Sequence, residues 1–269
     1  MRGSASDGTP QGRLEAAEAE LLRVRRQLRR TRKRLRAARA EITEAHHALP
    51  DRVEQVIRGV HEERLSYLGA GHLRNLATCI QDIEEAGVPG VVVEAGTARG
   101  GSAIVMAAAK APERPMKVYD VFEMIPPPGS KDGTDVHERY AVITQGGASG
   151  PGGDVYYGYH DDLYAEVRDS FSRLGVPVAD NQVELVKGYF EETIDLDGPV
   201  AFAHLDGDWY ESTMTCLQRI APLVVPGGRI VLDDYDHWSG CRAAVDEYFE
   251  DREGFRLEHK AKLHVIREP

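Results

Sequence analysis

The chain is 269 residues long, 42% of them apolar, with a formal net charge of −11. That length provides for one buried core and an appendage, on the usual prior of roughly 100–200 residues per domain. No apolar run approaches the roughly 18 residues that cross a bilayer, and the opening MRGSASDGTPQG lacks the apolar stretch of a secretory signal, so a cytoplasmic protein without a membrane segment is expected. The three cysteines, Cys79, Cys216 and Cys241, are far apart and without zinc-like spacing, which argues against a disulfide framework or a thiolate metal site.

The charge is split. Residues 1–50 hold 12 Lys and Arg against 6 Asp and Glu, whereas the rest of the chain holds 21 against 38. Within the basic part, Leu14, Leu21, Leu28, Leu35, Ile42 and Leu49 alternate with Ala17, Val24, Thr31, Ala38 and Ala45 at spacings of three and four. This heptad seam predicts a coiled-coil-like helix that Pro50 stops. From Arg23 to Arg39 there are ten basic residues and no acid, so the flanks repel a second copy in parallel or antiparallel register. An acidic partner is expected, either the acidic remainder of this chain or another protein. Nucleic acid competes with that reading, without a base-reading motif to support it, and so does a plain solvated helix.

Residues 51–87 read as a helical extension, which Gly69 and Gly71 split into two helices. A third region, 88–269, then alternates strand and helix. VVVEAG (91–96), MKVYDVF (116–122), QVELVKG (182–188), VAFAHLDGD (200–208) and GRIVLDD (228–234) are strand-like, and 101–110, 161–174, 211–223 and 240–250 are helix-like. FRLEHKAKLHVIRE closes the chain as a hairpin. The order implies an α/β fold, a Rossmann-like doubly wound and mostly parallel sheet with helices on both faces. The Gly- and Pro-rich stretch of about 123–160, with Tyr156, Tyr157 and Tyr159, suits a lid or substrate wall.

Ligands in such folds bind outside the carboxyl ends of the strands, and four of those ends carry acids. EAGTARGGS places Glu94, Gly96, Gly100 and Gly101 between a strand and a helix, a turn that lets backbone approach a ligand. Its spacing is not the dinucleotide pattern and better suits S-adenosylmethionine. Asp120 ends the next strand, where such folds hold a ribose. Asp206, Asp233 and Asp234 end two further strands. Three carboxylates on one rim repel one another unless a cation intervenes, and hard oxygen ligands suit Mg²⁺ or another hard divalent cation. Asp208 faces away from Asp206 only if the strand continues through Gly207.

VEAGTARGGS, VKGYFEETI, HLDGDWYEST and LDDYDHWSGCRAAVDEYF together resemble the macrocin O-methyltransferase family, the TylF and MycF type of sugar O-methyltransferases of antibiotic biosynthesis, over roughly residues 60–255. The resemblance implies a class I S-adenosylmethionine-dependent methyltransferase acting on a sugar hydroxyl of a glycosylated natural product. It implies that Glu94 and the turn from Gly96 through Thr97, Gly100, Gly101 and Ser102 line the methionyl end of the cofactor. Asp120 lies near the ribose, and Gly188, Tyr189 and Phe190 complete the cofactor site. Asp206, Asp233 and Asp234 match the metal ligands, with Asp206 or His237 as the catalytic base. Trp209 stands where catechol-type relatives carry a lysine, and Thr97-Ala98-Arg99 lacks the tryptophan common in the turn. A phenolic acceptor and a methyltransferase-like binding protein are the alternatives. A homo-oligomer is expected from the heptads and from the family, with the basic flanks of the helix opposing the first of these routes.

Overall fold

The computed structural model describes residues 49–269. The heptad helix, its pairing and its acidic partner therefore lie outside the described residues. Directly after Pro50, helix α1 (Asp51–Glu62) places Asp51 and Glu54 in its first turn, where they complement the helix dipole, and buries Val53, Val56, Ile57 and Val60 on one face. Gly69 starts α2 (Ala70–Glu85).

The sheet follows: β1 (Val91–Ala95), β2 (Met116–Asp120), β3 (Val183–Lys187), β4 (Val200–Leu205), β5 (Val224–Leu232), β6 (Phe255–His259) and β7 (Leu263–Arg267). Its order is β3-β2-β1-β4-β5-β7-β6. The first five strands run parallel, and β7 returns antiparallel beside β5 with Val231 opposite His264. β6 and β7 form the closing hairpin. Helices α3 (Gly101–Ala109), α4 (Thr134–Thr144), α5 (Leu163–Arg173), α6 (Phe190–Thr193), α7 (Tyr210–Ile220) and α8 (Ser239–Phe249) fill the connections. One apolar cluster gathers α1, α2, α3 and α5 on one face, and a second gathers α7 and α8 on the other. β1 and β4, covered on both faces, are apolar and buried almost throughout.

Two differences from the sequence reading have physical causes. The stretch from 123 to 160 is not loop throughout, because Val136 and Ile143, one heptad apart on α4, are buried with Ile125, Tyr156 and Trp209 in a small third cluster. β5 begins at Val224, four residues before the expected start. Pro226 and Gly227 lie within it, and a register shift against β4 accommodates them. No helix among the described residues is long and apolar enough to cross a membrane.

Candidate active site

The sheet order reverses between β1 and β4, and the site is built at that switch point. Gly96 follows β1 with φ +86, and a Cβ there would collide with the Asp206 carbonyl, so only glycine lets the two strand ends lie this close. The turn is held from beneath by Asp120. Its Oδ2 accepts the Thr97 and Ala98 N–H groups at 2.7 and 3.2 Å, and its Oδ1 accepts the Phe122 N–H at 2.7 Å. Burial raises the Asp120 pKa, and those three donors work against the rise. Gly101 N–H donates to Leu65 O at 3.0 Å, and a Cβ on Gly101 would strike Leu65 and Ser66.

Two cavities open on this turn. The first, about 570 Å³, is lined by Gly96, Asp120, Pro126, Tyr189, Phe190 and Trp209, among others. The second, about 670 Å³, runs past Thr97, Ser102, Tyr67, Arg139, Tyr156 and the acidic strand ends. They share Gly96, Asp120, Tyr157, Asp206, Asp208 and Trp209, among others. Gly100, Gly101 and Gly188 line neither cavity and shape the backbone behind them. Nor does the structure bring Glu94 to a wall. It is fully buried, with Oε2 accepting Thr97 Oγ1–H at 2.7 Å and Oε1 lying 2.9 Å from His204 Nδ1, so both oxygens are committed beneath the turn.

At the ends of β4 and β5 the structure brings together Asp206, Asp208 and Asp234, with carboxylate oxygens all within 4.8 Å of one another. β4 stops at Leu205 and Asp208 takes φ +57, which turns its side chain onto the same rim. Trp238 Nε1 donates to Asp208 Oδ1 at 2.9 Å, and Asp208 N–H donates to Asp234 Oδ2 at 3.1 Å. Burial, and then the carboxylates of Asp233, Asp234 and Asp208, raise the Asp206 pKa well above the usual range. Burial and Asp234 do the same to Asp208, and burial and Asp233 push Asp234 up to about 6.

Asp233 is differently engaged. Its Oδ2 lies 2.9 Å from Lys262 Nζ, which also donates to the Asp233 carbonyl at 2.8 Å. Its Oδ1 is buried without a hydrogen-bond partner, 3.7 Å from His204 Nε2. Burial acts upward on Asp233, yet His204 and Lys262 outweigh it and hold the group at about 2. Burial acts downward on His204, and the flanking Asp233 and Glu94 reverse that to about 9. Asp233 thus has two cationic neighbours, while among the described residues no cation lies at ion-pair distance from Asp206, Asp208 or Asp234, and Asp208 feels Arg139 only at longer range. Hard oxygen donors from Asp206, Asp208 and Asp234 fit a divalent cation, and the buried Oδ1 of Asp233 stands outside that group without a partner. His237 is exposed and lines only the second cavity. Trp209, at the position of the catechol-type lysine, is buried with Nε1 donating to Pro126 O at 2.9 Å.

This strand order, with the glycine turn after the first strand, defines a class I, Rossmann-like methyltransferase fold. Residues 14–257 match the model of the TylF macrocin-O-methyltransferase family, and the chain belongs to that family. It is 34% identical over 191 residues to the 8-demethyl-8-(2,3-dimethoxy-alpha-L-rhamnosyl)-tetracenomycin-C 4'-O-methyltransferase of Streptomyces olivaceus. The match covers 67% of this chain and 66% of that one, so the chain spans just under two thirds of that relative's length. It is also 34% identical over 197 residues to the mycinamicin III 3''-O-methyltransferase of Micromonospora griseorubida, covering 70% of each. Among solved structures the O-methyltransferase NovP superposes with a TM-score of 0.63 at 28% identity, over 76% of this chain and 82% of that one.

Proposed function

We propose that the protein is a divalent-cation-dependent O-methyltransferase that moves a methyl group from S-adenosylmethionine to a sugar hydroxyl of a glycosylated natural product. The observation that carries this reading is the meeting of two cavities at Gly96, Asp206 and Asp208, with a glycine turn on one side and crowded carboxylates on the other. Relatives named for methylating a rhamnosyl tetracenomycin and a mycinamicin support the acceptor class.

In this reading the adenosyl end of the cofactor lies in the first cavity, between Tyr189 and Phe190 on one side and Pro126 and Pro127 on the other. A carboxylate has about four acceptor sites, so Asp120 keeps one for a ribose hydroxyl. The methionyl end follows Gly96, Thr97 and Ser102, which Glu94, Gly100 and Gly101 shape from behind, while Gly188 N–H donates to the Asp120 carbonyl at 3.0 Å and belongs to the ribose side. Asp206 and Asp234 would hold Mg²⁺ or another hard divalent cation beside Asp208, and Asp233, the third acid that the family resemblance implies, would join them through its unpartnered Oδ1. When bound, such a cation fixes neighbouring hydroxyls and lowers the pKa of one.

Asp208 is the base. Asp206 sits among three other carboxylates and is spent as a ligand, and His237 is exposed and lines the second cavity alone. Asp208 faces both cavities, keeps Oδ1 on Trp238 and has Oδ2 for a proton. The acceptor O–H bond breaks toward Asp208 as its oxygen bonds the methyl carbon. The S–CH₃ bond breaks in the same step, and S-adenosylhomocysteine leaves. Alignment of the three atoms across the shared wall is the larger part of the catalysis.

The test is methylation of a panel of deoxysugar glycosides, read by mass spectrometry with and without Mg²⁺. A sugar methyl that forms only with the cation is expected. Asp208→Asn lowers kcat by about 10²–10⁴-fold while the cation still binds, though more weakly, whereas Asp206→Asn loses the cation. Turnover indifferent to a chelator removes the metal from the reading, and a methylated phenol removes the sugar. Full activity in Asp208→Asn with none in His237→Ala moves the base to His237.

A further inference from the structure

The second cavity is chemically two-sided. Its floor is the acidic rim of Asp206, Asp208, Asp233 and Asp234, and an aromatic wall is formed by Tyr67, Tyr156 and Tyr157, whose rings contact one another. Into that wall α4 inserts one cation, Arg139, whose guanidinium carbon lies 5.9 Å from the centre of the Tyr156 ring. Arg139 is half-buried, and no hydrogen bond or ion pair satisfies it among the described residues. Other arginines around the site are spoken for. Arg64 and Arg99 both reach Asp154, at 2.7 and 3.6 Å. Lys262, the other permanent cation on the cavity, is bound to Asp233.

Arg139 feels the charge of Asp208 at longer range but is hydrogen-bonded to no acid, so its planar fork stays open to a two-oxygen anion, a carboxylate or a phosphate. The sugar hydroxyls of the proposed acceptor belong at the acidic floor, so the group that meets Arg139 is the part of the acceptor beyond the sugar. We propose that this acceptor carries an anionic oxygen group next to a flat ring, bound by Arg139 while the ring lies on the tyrosine wall. The inference rests on the reading of the second cavity as the acceptor site. Two sources share this chemistry, the diphosphate and base of a sugar nucleotide or an acidic aromatic aglycone.

Calorimetry with S-adenosylhomocysteine and Mg²⁺ already bound separates them. The probes are a deoxysugar nucleoside diphosphate, a 4-carboxyphenyl glycoside of the same sugar, and the uncharged phenyl glycoside. Wild type is expected to bind at least one anionic probe about tenfold or more tighter than the neutral one. Arg139→Gln should bring that probe to the neutral level, Arg139→Lys should recover part of the difference, and neither should change S-adenosylhomocysteine affinity. The inference is overturned if neither anionic probe is preferred, or if Arg139→Gln weakens neutral and anionic probes alike. It is equally overturned if Arg139→Gln weakens the cofactor product, which would place the guanidinium on the methionyl carboxylate. Selective anion binding without any methyl transfer would uphold the inference while removing the catalytic reading.

Discussion

At Asp233 one carboxylate answers to several neighbours. Lys262 takes Oδ2, His204 faces Oδ1 across 3.7 Å, and the acids of the rim stand beyond. The Lys262 and Asp233 side chains are only 17% and 12% exposed, so their pairing is shielded from water and salt. Lys262→Met leaves a buried charge with one partner fewer and is expected to cost about 2–3 kcal/mol in urea unfolding with chelator present. Saturating Mg²⁺ should restore part of that loss, because the cation gives Asp233 a substitute counter-charge. An identical loss with and without Mg²⁺ would show that Asp233 gains nothing from a cation.

The turn joining β1 to α3 shows why glycine is needed at one place and merely convenient at another. Gly96→Ala drives a methyl into the Asp206 carbonyl at a positive φ, and the obstacle is backbone that cannot swing aside. The expected cost is about 2 kcal/mol or more, with loss of S-adenosylhomocysteine binding by calorimetry. Gly146, after α4, also has positive φ (+74), but nothing lies within 4 Å of its would-be Cβ. Gly146→Ala should cost only about 1 kcal/mol of backbone strain and leave cofactor binding intact. Equal effects of the two substitutions would mean that the strand ends do not approach as closely as described.

Across the whole molecule, acid sensitivity is expected to run through the antiparallel edge of the sheet. His264 on β7 is buried with Nδ1 4.0 Å from Cys79 Sγ of α2, and Nε2 has no partner. Burial, then Arg229 and Lys260, depress it from its ordinary 6.5 to about 3. Between these values the unfolded chain binds a proton that the folded one refuses, so stability rises with pH there. His264 therefore contributes stability above about pH 6.5 that is lost as pH falls toward 3. His264→Leu should flatten this part of the curve of urea midpoint against pH. A variant curve parallel to wild type through that window would assign the acid loss to other groups.

By itself the sequence determined the alternation of strand and helix, the Gly96–Gly101 turn and the acids at the strand ends. Each is a local signal: a run of β-branched residues, a glycine spacing, a carboxylate where an apolar stretch stops. The family motifs were legible for the same reason, being contiguous. α4 was hidden, because only Val136 and Ile143 need burying in a stretch otherwise rich in Gly and Pro. Tertiary structure alone decided which carboxylates meet. Asp208 joins Asp206 and Asp234 because a positive φ turns the chain after Leu205, and a left-handed aspartate has no signature in sequence. Asp233 turns instead to Lys262, a residue of the last hairpin, and Glu94 withdraws beneath the turn to His204 on the neighbouring strand. Charge pairing between residues 29 and 110 positions apart is set by strand order and register, which local propensity does not encode.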